Sequence, residues 1–348
     1  KMLMRAPSAP PLANVQVLRA LAALLVACVH VFEQSEKYGH PLVLLSIFGN
    51  WGDSGVDIFF VISGFIMVYI QRHRPSTASA FLAHRLYRVV PLYWALTLLY
   101  VALYVAWPQL FGLASIDAAR LAQTLSFTTF LFDGAFPVLY LGWTLEYEMF
   151  FYLAFTLAIC AGTISHAVLI SSGLILLGWL VLPLEAVVFE FVFGCALGLL
   201  YDRPWVRPHA RMLLLVGAGL LAATIVDPAL ALDHRTLSWG VPATLLVAGA
   251  INVRQITHPT LHFLGDASYS IYLLQVFTIS AYYKAADAMA FTLPNDVHAL
   301  LCLGLTAAAG CVTYLWIEKP LVELRRRDFQ PLRRLVRHAA STLPARPG

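Results

Sequence analysis

Charged residues are scarce in this chain of 348 residues: Asp, Glu, Lys and Arg make up 12% of it, where an ordinary soluble domain carries about 25%. Apolar residues reach 60% and the mean hydropathy is +0.74. That balance excludes a soluble globular protein and points to an integral membrane protein with little chain outside the bilayer. Cysteine is sparse too. Cys28, Cys160, Cys195, Cys302 and Cys311 all sit inside apolar runs, with no CxxC and no metal-ligand spacing. They read as small apolar residues of helices, so neither a structural disulfide nor a metal site is expected. No internal repeat and no long polar segment is present. The net charge of +4 is too small to mark a nucleic-acid binder, and its distribution carries the information.

What the chain has is apolar runs of about 17–22 residues, long enough to cross a bilayer as helices. About ten can be drawn, near 15–33, 54–71, 86–107, 139–160, 165–182, 184–201, 211–227, 237–252, 262–284 and 297–317. Only Leu182-Pro183-Leu184 separates the runs at 165–201, as a tight turn or a kink. The run at 121–132 is too short to span and reads as interfacial or re-entrant. The fold class expected is an all-α integral membrane protein, about ten transmembrane helices in one bundle. Leu25-Val26-Ala27-Cys28 resembles a lipoprotein cleavage box, but Arg19 interrupts the apolar core that a signal peptide needs, so a retained first span is expected. Lys1 ahead of Met2 reads as a remnant of cloning or an internal start.

Basic residues set the orientation. With both termini in the cytoplasm, Arg72, Arg74, Arg85, Arg88, Arg203, Arg207, Arg211, Arg254 and the tail arginines fall inside. The outer loops then hold only Lys37, Arg120, Arg235 and Lys284, among nine acids that include Glu33, Asp53, Asp133, Asp227 and Asp233. The expected organisation is a cytoplasmic segment at 1–13, a transmembrane domain at 14–321 and a basic cytoplasmic tail at 322–348.

Five constellations could carry chemistry. The first span holds Arg19 and His30 in an apolar run. Eleven residues at about 100° each return them to nearly one face, with a rise of about 16 Å. Arg19 alone could snorkel to headgroups and His30 alone could touch interfacial water. Together they mark a polar face that costs too much to be idle. In WGDSGVDIFFVISGF (51–65), Asp53 reads as a helix cap and Asp57 as a functional carboxylate, with Ser63 and Gly64 allowing close packing. In HRLYRVVP (84–91), Arg85 and Arg88 share a face and suit phosphate, although positive-inside anchoring explains them equally well. In GWTLEYEMFFY (142–152), Glu146 and Glu148 point about 200° apart, and Glu148 is the deeper. In LGDASYSIYLLQ (264–275), Asp266 reads as a cap, and Tyr269, Tyr272 and Gln275 share one face, either a polar seam or, for most of it, plain packing.

Six segments, LRALAALLVACVH, GVDIFFVISGF, FLAHRLYRVVPLYW, GWTLEYEMFFY, SYSIYLLQ and IEKP (317–320), together resemble the membrane-bound acyltransferase 3 family. They run in that family's order over about 14–321, and VQVLRALAALLV with WTLxYEMFFY looks most like its exopolysaccharide O-acetyltransferase branch. The resemblance implies an inner-membrane enzyme that moves an acyl group, acetyl by default, from cytoplasmic acyl-CoA to a hydroxyl of an exopolysaccharide or other cell-surface glycan. Acyl-CoA is then a co-substrate, and no bound cofactor or metal is implied. The family's arginine–histidine motif falls on Arg19 and His30, its paired arginines on Arg85 and Arg88, and its glutamate on Glu148. Glu146 is then extra, Thr144 replaces a serine, and Gln275 stands where histidine is frequent. On this reading Arg85 and Arg88 hold CoA phosphates, and Arg19 neutralises another phosphate or polarises the thioester. His30 acts as general base or carries the acyl group, with Asp57 or Glu148 orienting it. The rival class is a transporter or flippase of lipid-linked sugars that uses the same polar residues as a pathway.

Overall fold

In the computed structural model, residues 12–49, 51–111, 116–132, 136–226, 234–289 and 293–323 are described. Most of the N-terminal segment, most of the basic tail, and Asp133, Asp227 and Asp233 lie outside them. Every apolar run is helical, and no strand occurs among the described residues. The helices are α1 (Ala13–Lys37), α2 (Ser54–His73), α3 (Ala78–Ala106), α4 (Ala118–Ser126), α5 (Gly142–Ile159), α6 (Ile164–Val181), α7 (Phe189–Leu200), α8 (Ala210–Val226), α9 (Val241–Asn252), α10 (Pro259–Ala288) and α11 (Asn295–Thr313). Six stretches are long and apolar enough to cross a membrane: Ala13–Lys37, Trp51–His73, Ala78–Ala106, Ile164–Val181, Arg207–Ile225 and Asn295–Glu323. Ala186–Leu200 and Thr236–Asn252 are apolar but shorter. Leu182–Glu185 is a full break between α6 and the turn leading into α7, not a kink.

α1 sits at the centre of the bundle, packed against α10, α2 and α11. Its composition makes that possible. Ala20, Ala22, Ala23 and Ala27 are buried, and small side chains let neighbouring backbones approach where lipid, as apolar as leucine, supplies no hydrophobic drive. α2 and α7 come closer still. A β-carbon on Gly64 would lie 2.1 Å from the Phe191 carbonyl oxygen, and one on Gly194 2.1 Å from that of Val61. Large apolar side chains such as Leu157, Leu169, Leu180, Leu215 and Leu305 point outward, as expected of surfaces that meet acyl chains.

The long helices alternate in direction, and polar clasps tie the connections at each end. At the end that holds Arg72, Arg85 and Arg254, buried Asn14 donates to the Ala250 carbonyl at 2.7 Å and accepts from the Ile256 amide at 2.8 Å. At the opposite end, Asp296 accepts from the amides of Leu44 (3.1 Å) and Leu45 (2.9 Å). The 121–132 run forms α4 and a short turn at Thr129–Leu131. Midway along α3, Trp94 donates to the Leu125 carbonyl at 3.0 Å, so this segment enters the bundle without crossing it. Glu146 holds it there: its carboxylate accepts from the Thr129 amide and hydroxyl and from the Phe130 amide.

Candidate functional site

Four of the six expected site residues surround one cavity of about 540 Å³. α1 supplies Arg19, α3 supplies Arg85 and Arg88, and α5 supplies Glu148. α2 contributes Ser63 and a wall of Phe59, Phe60 and Ile66, while α10 adds Tyr269 and Tyr272. Arg74 and His73 lie at the basic end of this lining.

The three arginines differ in their partners. Arg85 lies over the rings of Phe81 (5.6 Å) and Tyr152 (5.9 Å). Its buried Nε has no hydrogen-bond partner, and it forms no salt bridge among the described residues. Among the described residues, Arg19 hydrogen-bonds to Gln16 alone, at 3.3 Å. Arg88 forms an ion pair with buried Glu318 at 3.2 Å. Glu148 accepts hydroxyl hydrogen bonds from Ser63 (2.7 Å) and Tyr152. Two cations without carboxylate partners, facing a partly apolar cavity, make a place for an anionic head on an apolar arm. Next to His73 in the chain, Arg72 pairs with Asp202 at 2.8 Å. Against the effect of partial burial, that guanidinium holds Asp202 below the usual carboxylate range.

His30 does not line the cavity. It sits towards the far end of α1, where its Nδ1 meets the Glu33 carboxylate at 2.9 Å and its ring packs edge-on to Tyr140, with centroids 5.2 Å apart. Its side chain is 14% exposed. A carboxylate on Nδ1 fixes the ring and leaves Nε2 as the proton acceptor. Between His30 and the cavity lies a hydrogen-bonded seam. The Tyr272 and Thr144 hydroxyls lie 2.8 Å apart and each lies 3.1 Å from the Leu141 carbonyl, so one donates to that carbonyl and the other to its neighbouring hydroxyl.

Several expectations need correction. Neither Asp57 nor Glu148 orients His30; Glu33 does, three residues along the same helix. Asp57 is fully buried and pairs with Arg235 at 2.9 Å. Buried Glu190 is a neighbour of this pair, and neither of its carboxylate oxygens has a hydrogen-bond partner among the described residues. Asp53 makes no side-chain cap bond; its backbone carbonyl accepts from Arg235 at 3.1 Å. Asp266 lies inside α10 rather than at its start. Tyr269, Tyr272 and Gln275 do not form a seam together. Tyr269 donates to the Val89 carbonyl at 2.7 Å, Tyr272 serves the Leu141 seam, and buried Gln275 has no partner for either side-chain polar atom. Glu190 and Glu318 escaped the sequence reading, although Glu190 lies well inside an apolar run, the signal that singled out Glu148.

An anion-ready cavity at one end of α1 and a carboxylate-oriented imidazole near the other suit the transfer of a group between two sites. Comparison with known proteins agrees: the Acyl_transf_3 family, an acyltransferase domain, matches residues 12–316, and the chain belongs to that family. With its several apolar helices it is a multi-pass membrane protein. Over 316 residues it is 33% identical to the exopolysaccharide production protein ExoZ of Rhizobium meliloti (strain 1021), a match covering 84% of this chain and 94% of ExoZ. No solved structure matches.

Proposed function

We propose that this protein transfers an acyl group, acetyl by default, from acyl-CoA to a hydroxyl of an exopolysaccharide or another cell-surface glycan. The basic end of the bundle faces the cytoplasm and the His30 end faces outward across the inner membrane. The observation that carries the reading is the cavity in which Arg19 and Arg85 lack carboxylate partners and a partly apolar wall leads inward. Arg85 and Arg19 take the phosphates of CoA, and its arm lies along Phe59, Phe60 and Ile66. His30, held by Glu33, accepts the proton of the acceptor hydroxyl as its oxygen attacks the thioester carbonyl. The carbon–sulfur bond breaks, and the proton ends on the thiol of CoA. ExoZ, named for exopolysaccharide production, supports the class of acceptor.

The test is transfer of labelled acetyl from acetyl-CoA by purified protein in lipid. General-base catalysis is worth about 10²–10⁴-fold. His30→Ala should lose transfer by that factor while Kd for acetyl-CoA stays unchanged. Arg85→Ala should weaken acetyl-CoA binding instead. Near wild-type transfer by His30→Ala overturns the assignment of the base, and absence of saturable acetyl-CoA binding by the wild type overturns the donor.

A further inference from the structure

The IEKP segment lies far along the chain from the cavity arginines, yet its glutamate reaches one of them. Glu318 is 2% exposed. Its Oε2 accepts from the Ser270 hydroxyl of α10 at 2.6 Å. Its Oε1 lies 3.2 Å from Arg88 Nη1 but makes no aligned hydrogen bond. The contact is therefore charge against charge, and it leaves the N–H groups of Arg88 available to another acceptor.

The local chain explains how a carboxylate comes to sit there. Tyr314–Glu318 is a π-helical turn. Pro320, two residues on, has no N–H to give the Trp316 carbonyl and would clash with it in a regular α-helix. The widened turn absorbs that conflict, and π-turns recur at functional sites. Beside it, the Tyr269 hydroxyl bonds the Val89 carbonyl at 2.7 Å, which ties α3 to α10 one residue beyond Arg88.

We infer that Glu318, braced by Ser270, is the positioning residue for Arg88, setting where its guanidinium stands at the cavity wall and offsetting its positive charge before an anionic donor arrives. The two arginines of the HRLYR segment then divide the work: Arg85 offers an uncompensated charge, and Arg88 offers direction. The inference rests on the donor reading given above.

A double-mutant cycle on the full-length protein in lipid tests it, with acetyl-CoA as the probe. Glu318→Gln should raise KM for acetyl-CoA about tenfold while kcat stays within about twofold, the size expected of residues coupled through one ion pair. Ser270→Ala should move KM the same way by less. Combined with Arg88→Ala, Glu318→Gln should add nothing further, because the residue it positions is gone. A merely structural Glu318 would lower the melting temperature, and its effect on KM would persist on the Arg88→Ala background. An unchanged KM in Glu318→Gln, or full additivity with Arg88→Ala, overturns the inference alone. A wild type that binds no acetyl-CoA overturns the proposed function as well.

Discussion

Asp57 shows at the scale of one residue how a polar group changes meaning with its surroundings. A carboxylate near the start of α2 reads as a catalytic partner for His30, because both fall at the same end of the bundle. It is committed instead to Arg235, 178 positions away, whose guanidinium also lies over Trp239 at 5.1 Å. Removing one member of a buried ion pair strands the other in low dielectric and costs about 3 kcal/mol or more. Asp57→Ala should therefore lower the melting temperature in detergent markedly, while the folded fraction keeps the wild-type KM for acetyl-CoA. A stable Asp57→Ala protein with a large fall in kcat would return Asp57 to the chemistry. Glu146 teaches the same lesson. It reads as an extra intramembrane acid and proves to be the anchor of the Thr129 turn.

Among the elements, prolines and glycines decide geometry more than apolar patterning does. Two π-helical turns occur among the described residues, Thr236–Gly240 and Tyr314–Glu318, and each stands just before a proline, Pro242 and Pro320. In both, the carbonyl that the proline leaves without its donor lies inside the turn. The α2–α7 contact depends on Gly64, because a β-carbon there meets the backbone of Phe191 rather than a side chain that could swing aside. Gly64→Leu must push the two helices apart, and overpacking of this kind costs about 1–3 kcal/mol. Gly304 has nothing within 4 Å of a built β-carbon, so Gly304→Ala should gain about 0.5–1 kcal/mol from reduced chain freedom. Thermal unfolding of the two variants side by side checks both signs; a tolerated Gly64→Leu would show that the helices are not held at backbone contact.

Over the whole molecule, the polar residues of α1 serve different ends of the bundle. Arg19 belongs to the cavity and His30 lies beyond the Leu141 seam beside Glu33 and Tyr140, about 16 Å along the helix. The basic end carries Cys160, an exposed thiol between α5 and α6. If that end is cytoplasmic, a membrane-impermeant maleimide should leave Cys160 unlabelled in intact cells and label it once the membrane is opened. A cysteine placed at Glu36 should react in intact cells. The reverse pattern would invert the orientation.

The helices and the acyltransferase family were legible in the sequence. Helix formation in a bilayer is a local obligation, since each backbone polar group must be satisfied within its own segment, and apolar runs declare it. The grouping of Arg19, Arg85, Arg88 and Glu148 was suggested by motif order, and the cavity brings those four together. The partners were not legible. Glu33 on His30, Arg235 on Asp57, and Glu318 on Arg88 are chosen by how helices turn and close on one another. Apart from Glu33, those contacts join residues distant in the chain. Spacing reports which face of a helix a residue occupies; only tertiary packing decides what that face meets.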